Sequence, residues 1–109
     1  MIKHKSLHRT TMAQLDDLPN AGIYIIAYMG KVIYVGKATD SVMDRIRTHL
    51  LKAIDEPFGY WLENMRFDWP NVRVDVLEAP DNIDIQYWSR EVEGSLVRRL
   101  NPLFNQQLT

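Results

Sequence analysis

Tyr24 and Tyr34 stand ten residues apart in two runs rich in β-branched and aromatic residues, and Lys37 follows the second run. Arg45 and His49 come next, four residues apart; a carboxylate, Glu93, and an amide, Asn105, lie towards the other end. These residue types can do chemistry at a phosphate. A guanidinium offers a planar, permanently charged fork to phosphate oxygens. An imidazole moves protons near neutrality, and one carboxylate can hold a hard divalent ion whose other positions go to water and phosphate. The charge distribution allows the same chemistry. Net charge is −1, but residues 1–52 carry eight Lys/Arg against four Asp, whereas residues 53–109 carry five Arg against ten Asp/Glu. A chain split in this way can present a basic face to phosphates and still offer carboxylates to a metal. The lack of cysteine excludes disulfides and every cysteine-ligated zinc or iron–sulfur site.

Each residue also has a plain structural use. Tyr24 and Tyr34 can pack as a cross-strand aromatic pair, and Arg45 and His49 can form a solvated helix face. Glu93 can pair with Arg90 or Arg98 along its own helix, a contact worth about 0.2–0.5 kcal/mol. Glu91 reads as surface, and Arg98-Arg99 complement a helix C-terminus. Taken singly, the structural uses are the simpler account.

The residue pattern lays out the elements that must position these groups. Runs at 22–28 and 31–36 read as a β-hairpin. A three-residue loop, Tyr28-Met29-Gly30, places Gly30 at the left-handed position, whereas a two-residue loop would force Met29 to positive φ. That loop sets Ala27 opposite Lys31 and Tyr24 opposite Tyr34. One face then carries Gly22, Tyr24, Ile26, Val32, Tyr34 and Gly36; the other, with Ile23, Ile25, Ala27, Ile33 and Val35, is the expected core. Asp40 or Ser41 caps a helix to about Ile54 with the stripe Met43, Ile46, Leu50 and Ile54, on which Arg45 and His49 share a side. Residues 55–71 read as a short helical turn amid loops, and Val72–Leu77 alternates as a half-buried strand. Asp81 or Asn82 caps a second long helix to about Leu100, with Ile85, Trp88, Val92, Leu96 and Leu100 as its stripe, closed by Asn101-Pro102. Residues 1–9 read as a basic, irregular and mobile terminus, with a phosphate-binding arm as the alternative use of Lys3, His4, Lys5, His8 and Arg9. Thr10 or Thr11 caps a short helix through Asp17.

At 12.8 kDa and 46% apolar residues, the chain is expected to form a single domain over 1–109. The longest uncharged stretch, Leu18 to Gly30, is too short for a membrane span. The start leads into no apolar run, so no secretory signal and a cytoplasmic setting are expected.

Gly22-Ile23-Tyr24, with Tyr34-Val35-Gly36-Lys37 ten residues on from tyrosine to tyrosine, resembles the signature of GIY-YIG nucleases. These occur in the N-terminal half of the bacterial excision-repair incision enzyme, in homing endonucleases and in some restriction enzymes. Arg45 and His49 match the family's Arg-x-x-x-His helix, and Glu93 precedes Pro102 and Asn105 as the family's metal-binding glutamate precedes Pro-x-x-Asn. Leu18-Pro19-Asn20-Ala21-Gly22 is similar to the usual lead-in, with Ala21 where proline is common. The resemblance covers about residues 18–107. It departs from the pattern by one extra residue near Asp40–Ser41 and by a long segment between His49 and Glu93.

The resemblance implies an α+β fold, a three-stranded antiparallel sheet (strands near 22–28, 31–36 and 72–78) flanked by helices. It implies Mg²⁺- or Mn²⁺-dependent hydrolysis of DNA phosphodiester bonds, a nick per site, with DNA as partner and a protein partner or second copy for targeting. Glu93 would hold the metal and Arg45 the phosphate. Tyr24 would activate water with its pKa lowered by Lys37, His49 would hydrogen-bond or relay a proton, and Tyr34 would complete the network. Lys37, Arg45 and Asn105 would meet DNA, Asn105 either touching a phosphate or tying the C-terminal tail to the site. The competing expectation is a non-catalytic module that keeps the fold and binds nucleic acid or protein.

Overall fold

The computed structural model describes residues 3–7, by their backbone, and residues 20–105. The helix expected between Thr10 and Asp17, with His8 and Arg9 of the basic arm, lies outside the described residues.

The three expected strands form, and they pair antiparallel: β2 (Gly22–Tyr28) lies between β3 (Lys31–Ala38) and β4 (Val72–Glu78). A fourth strand, β1 (Lys3–Leu7), pairs with β4, giving the order β1-β4-β2-β3. The terminus read as irregular is therefore a strand here. Its backbone groups find partners on β4, a tertiary gain that composition does not reveal.

The hairpin loop differs from expectation. Tyr28 pairs with Lys31, leaving the two-residue loop Met29-Gly30, with φ of 51° and 80°. Two left-handed positions make a turn whose twist matches that of the strands. Met29, 82% exposed, takes its unusual φ free of crowding. The register then shifts between Ile26 and Ala27, which face Tyr34 and Val32, so Ile33 is an extra, bulged residue. Tyr24 consequently faces Gly36 rather than Tyr34.

Helices cover both faces of the sheet. Tyr24, Ile26, Ile33, Val72, Val74 and Val76 pack with Val42 and Ile46 of α1 (Val42–Leu51) and with Phe58 and Leu62 of α2 (Pro57–Asn64). The opposite face joins Ile23 and Val35 to Trp88 of α3 (Ile85–Leu100), with Val92 and Leu96 beside it. The tyrosine face, not its aliphatic reverse, thus bears the larger core, because β4 adds three valines there and two helices close over them.

Ser41 caps α1 by accepting from the Asp44 N–H. The helix ends at Leu51, leaving Leu51 and Ile54 exposed instead of extending the stripe. Residues 55–71 hold more order than expected: α2 is followed by a 3-10 helix over Arg66–Asn71, where the Trp69 indole donates to the Leu62 carbonyl. Asp84, rather than Asp81 or Asn82, caps α3, accepting from the N–H groups of Gln86 and Tyr87. Among the described residues, no helix is long and apolar enough to cross a membrane.

Candidate active site

β2 brings Tyr24 to the tyrosine face, where its ring lies against the backbone of Gly36 on β3. A Cβ at position 36 would overlap that ring, so only glycine lets the two strands carry the phenol there. Tyr24 is wholly buried. Its Oη lies 2.8 Å from His49 Nε2, contributed by α1. Tyr34, half-buried on β3, has its ring centroid 6.1 Å from that of Tyr24 and 5.0 Å from that of His49. Phe58 of α2 stacks on Tyr34 at 4.3 Å and 6°.

Arg45 and His49 do share a side of α1, and both bear on Tyr24. Arg45 is exposed, and its charge and hydrogen-bonding favour the ionised Tyr24 phenol. Burial outweighs that help and pushes the Tyr24 phenol well above its ordinary range, with Tyr34 and Glu93 adding to the rise. Tyr34 is pushed up to about 12, chiefly by burial and then by the charges of Glu56 and Glu93, against Arg45 and the neighbouring Tyr24. The cation acting on Tyr24 is Arg45 rather than the expected Lys37. Lys37 is exposed and acts instead on Glu93, together with Arg45. Burial raises the Glu93 carboxyl above its usual range, and these two cations oppose the rise.

Glu93 reaches this group from α3, whose apolar stripe packs on the other face of the sheet. The two faces meet around β3, which lies at one edge of the sheet with no further strand beyond it among the described residues. Four elements thus bring Tyr24, Tyr34, Arg45, His49 and Glu93 into mutual influence.

Asn105 takes the second of its two expected uses. It is 1% exposed, its Oδ1 accepts from the Val35 N–H at 2.8 Å, and its Nδ2 donates to the Val35 carbonyl at 2.7 Å. It ties the tail to the sheet edge, and the phosphate contact is corrected, because its amide is spent on the backbone.

Two clefts open beside the group. One, about 290 Å³, is lined by Tyr34, Arg45, His49, Glu56, Phe58 and Phe104. The other, about 380 Å³, is lined by Lys37, Thr39, Ser41, Arg45, Thr48 and Gln86 among others. Arg45 stands at both. The phenol facing the first cleft is Tyr34, with Tyr24 behind it.

Family models, curated proteins and solved structures offer no match to this chain.

Glu56 escaped the sequence reading. Its carboxylate Oε1 contacts His49 Nδ1. Only its position just before Pro57 hints at a helix start, and nothing in the pattern links it to His49. The turn after α1 makes the link by folding back.

Proposed function

We propose that this chain is a metal-dependent DNA endonuclease of the GIY-YIG type, which hydrolyses one phosphodiester bond per site and so nicks DNA. The observation that carries the reading is the meeting of two phenols, a guanidinium and an imidazole from three elements beside an open cleft, with the Glu93 carboxyl of a fourth element near enough for the charge of Arg45 to act on it.

Among the described residues, no group of three His, Cys, Asp or Glu could hold a metal by itself. Glu93 alone still fits Mg²⁺ or Mn²⁺. It is one hard oxygen donor, partly buried, and such ions keep most of their positions for water and substrate oxygens. When bound, the ion supplies Lewis-acid polarisation of the phosphate and offsets charge on the leaving oxygen. Arg45, exposed at the junction of the two clefts, binds the phosphate oxygens with its fork. Tyr34 orients the attacking water from the cleft wall. His49 is the proton's destination: burial lowers its pKa against the pull of Glu56 and so favours the neutral ring, and its Nε2 lies 2.8 Å from the Tyr24 hydroxyl. As the water oxygen bonds to phosphorus and the bond to the leaving oxygen breaks, the water gives its proton to the Tyr34 hydroxyl at the cleft wall. Tyr34 gives its own to the hydrogen-bonded Tyr24, Tyr24 gives its own to His49 Nε2, and the leaving oxygen takes a proton from solvent.

Incubating supercoiled and branched DNA with Mg²⁺ or Mn²⁺ tests this. Wild type should nick, Glu93→Ala should abolish nicking, and Tyr24→Phe and Tyr34→Phe should each lower it about 10²-fold or more. Undiminished cleavage by Glu93→Ala rejects the site. Binding of DNA without cleavage under either metal supports the non-catalytic module instead.

A further inference from the structure

We propose that Glu56 is the positioning residue of this site, orienting the His49 ring and holding its hydrogen on Nδ1 so that Nε2 faces Tyr24 as an acceptor. The effect on rate rests on the nuclease reading; the hydrogen-bond geometry does not.

The assignment follows from what each atom can do. A neutral imidazole carries one hydrogen, and an ionised carboxylate only accepts. With Glu56 Oε1 against Nδ1, the hydrogen sits on Nδ1. Nε2 then has a free lone pair, and the Tyr24 hydroxyl 2.8 Å away is its donor. Without Glu56, nothing in this arrangement selects that tautomer over the one in which Nε2 donates to Tyr24 and cannot take its proton. When Nε2 does take the proton, the ring becomes a cation, and Glu56 is the anion beside it.

The backbone is arranged to keep Glu56 available. It occupies the N-cap of α2, yet its side chain makes no capping bond. The turn that delivers it is closed by hydrogen bonds from the Asp55 and Glu56 N–H groups to the Lys52 carbonyl, at 3.0 and 2.9 Å. Gly59 lets α2 approach α1 so closely that a Cβ there would strike the His49 carbonyl. Phe58 meets the imidazole edge-on at 4.8 Å, and Tyr34 does so at 5.0 Å. The charged and titratable groups facing the ring are Arg45 of α1, Lys52 at the C-cap of that helix, Tyr24 of β2, Tyr34 of β3 and Glu56. Of these, Glu56 favours the protonated ring, and the two cations disfavour it.

The test compares wild type with Glu56→Ala, Glu56→Gln and, as control, Glu63→Gln, whose parent carboxylate pairs with Arg66 at the surface. Nitrogen-15 NMR of the histidine rings reads the tautomer. Wild type should show His49 protonated on Nδ1, and Glu56→Ala should lose that preference. Glu56→Gln should keep it, because the amide oxygen still accepts, while its His49 titrates at lower pH. Nicking by Glu56→Ala should fall about 10–100-fold in kcat with KM unchanged. Glu56→Gln should fall less, with the acid limb of its pH profile displaced downward, and Glu63→Gln should match wild type. An Nε2–H tautomer in wild type, or the same tautomer and titration in wild type and both Glu56 variants, overturns the proposal. If Glu56→Ala does not fold, Glu56→Gln carries the decision. If wild type nicks no DNA, the nuclease reading fails while the NMR result still decides the role of Glu56.

Discussion

Gly36 shows how a single missing side chain shapes the site. The Tyr24 ring fills the space where a Cβ would stand, and the ring in turn hands its hydroxyl to His49. Gly36→Ala should therefore destabilise the fold by about 1–3 kcal/mol through overpacking and move the phenol off Nε2. Urea denaturation measures the first effect, and the His49 ring resonances report the second. Unchanged stability together with an unchanged ring signal would show that the strands part easily at this point. In the tripeptide Tyr34-Val35-Gly36, which resembles part of the nuclease signature, the glycine has a steric reason. The roles of the two tyrosines were not legible in the same way. Both lie on one face, as alternation predicts, but which of them meets the cleft depends on the bulge at Ile33 and on where α1 and α2 come to rest.

At the scale of elements, the edge strand β3 is protected by the C-terminal tail. Phe104 donates its N–H to the Ile33 carbonyl at 3.0 Å, and the Asn105 side chain then pairs with both backbone groups of Val35. The tail thus stands in for a missing neighbour strand, which satisfies groups that would otherwise template aggregation. Asn105→Ala leaves a buried N–H and carbonyl without these partners and should cost about 1–3 kcal/mol. Asn105→Asp should also destabilise, since a carboxylate cannot donate to the Val35 carbonyl. Chemical denaturation of the two variants checks both, and wild-type stability in Asn105→Ala would refute the edge-closing role. The helix boundaries were readable to within a turn, because caps and apolar spacing are local. The segment after His49 was not, because α2 is held by Phe58, Leu62 and Trp69 packing on distant strands.

For the whole molecule, the buried phenols link folding to alkaline pH. Both tyrosines titrate above the ordinary value in the folded chain, mainly because burial penalises the phenolate. An unfolded chain releases these protons near pH ~10, so the folded state is the better proton binder above that point. Their contribution to stability is complete below about pH 10 and drains away as the pH rises through the Tyr34 value of about 12. Urea melts at rising alkaline pH should show this loss in wild type and a shallower one in Tyr34→Phe. Parallel slopes would mean that Tyr34 is hydrated when folded.

What the sequence determined by itself was local: two hairpin strands from β-branched and aromatic runs, a third strand from alternation, two long helices from apolar spacing, and the residue types able to work on a phosphate. Those signals survive because periodicity and capping depend on near neighbours. Tertiary structure alone decided the hairpin register, the fourth strand, which face holds the main core, which phenol borders the cleft and that Glu56 meets His49. Each of these depends on groups far apart in the chain competing for the same space and the same hydrogen bonds, and that competition is settled only when the sheet and helices close on one another.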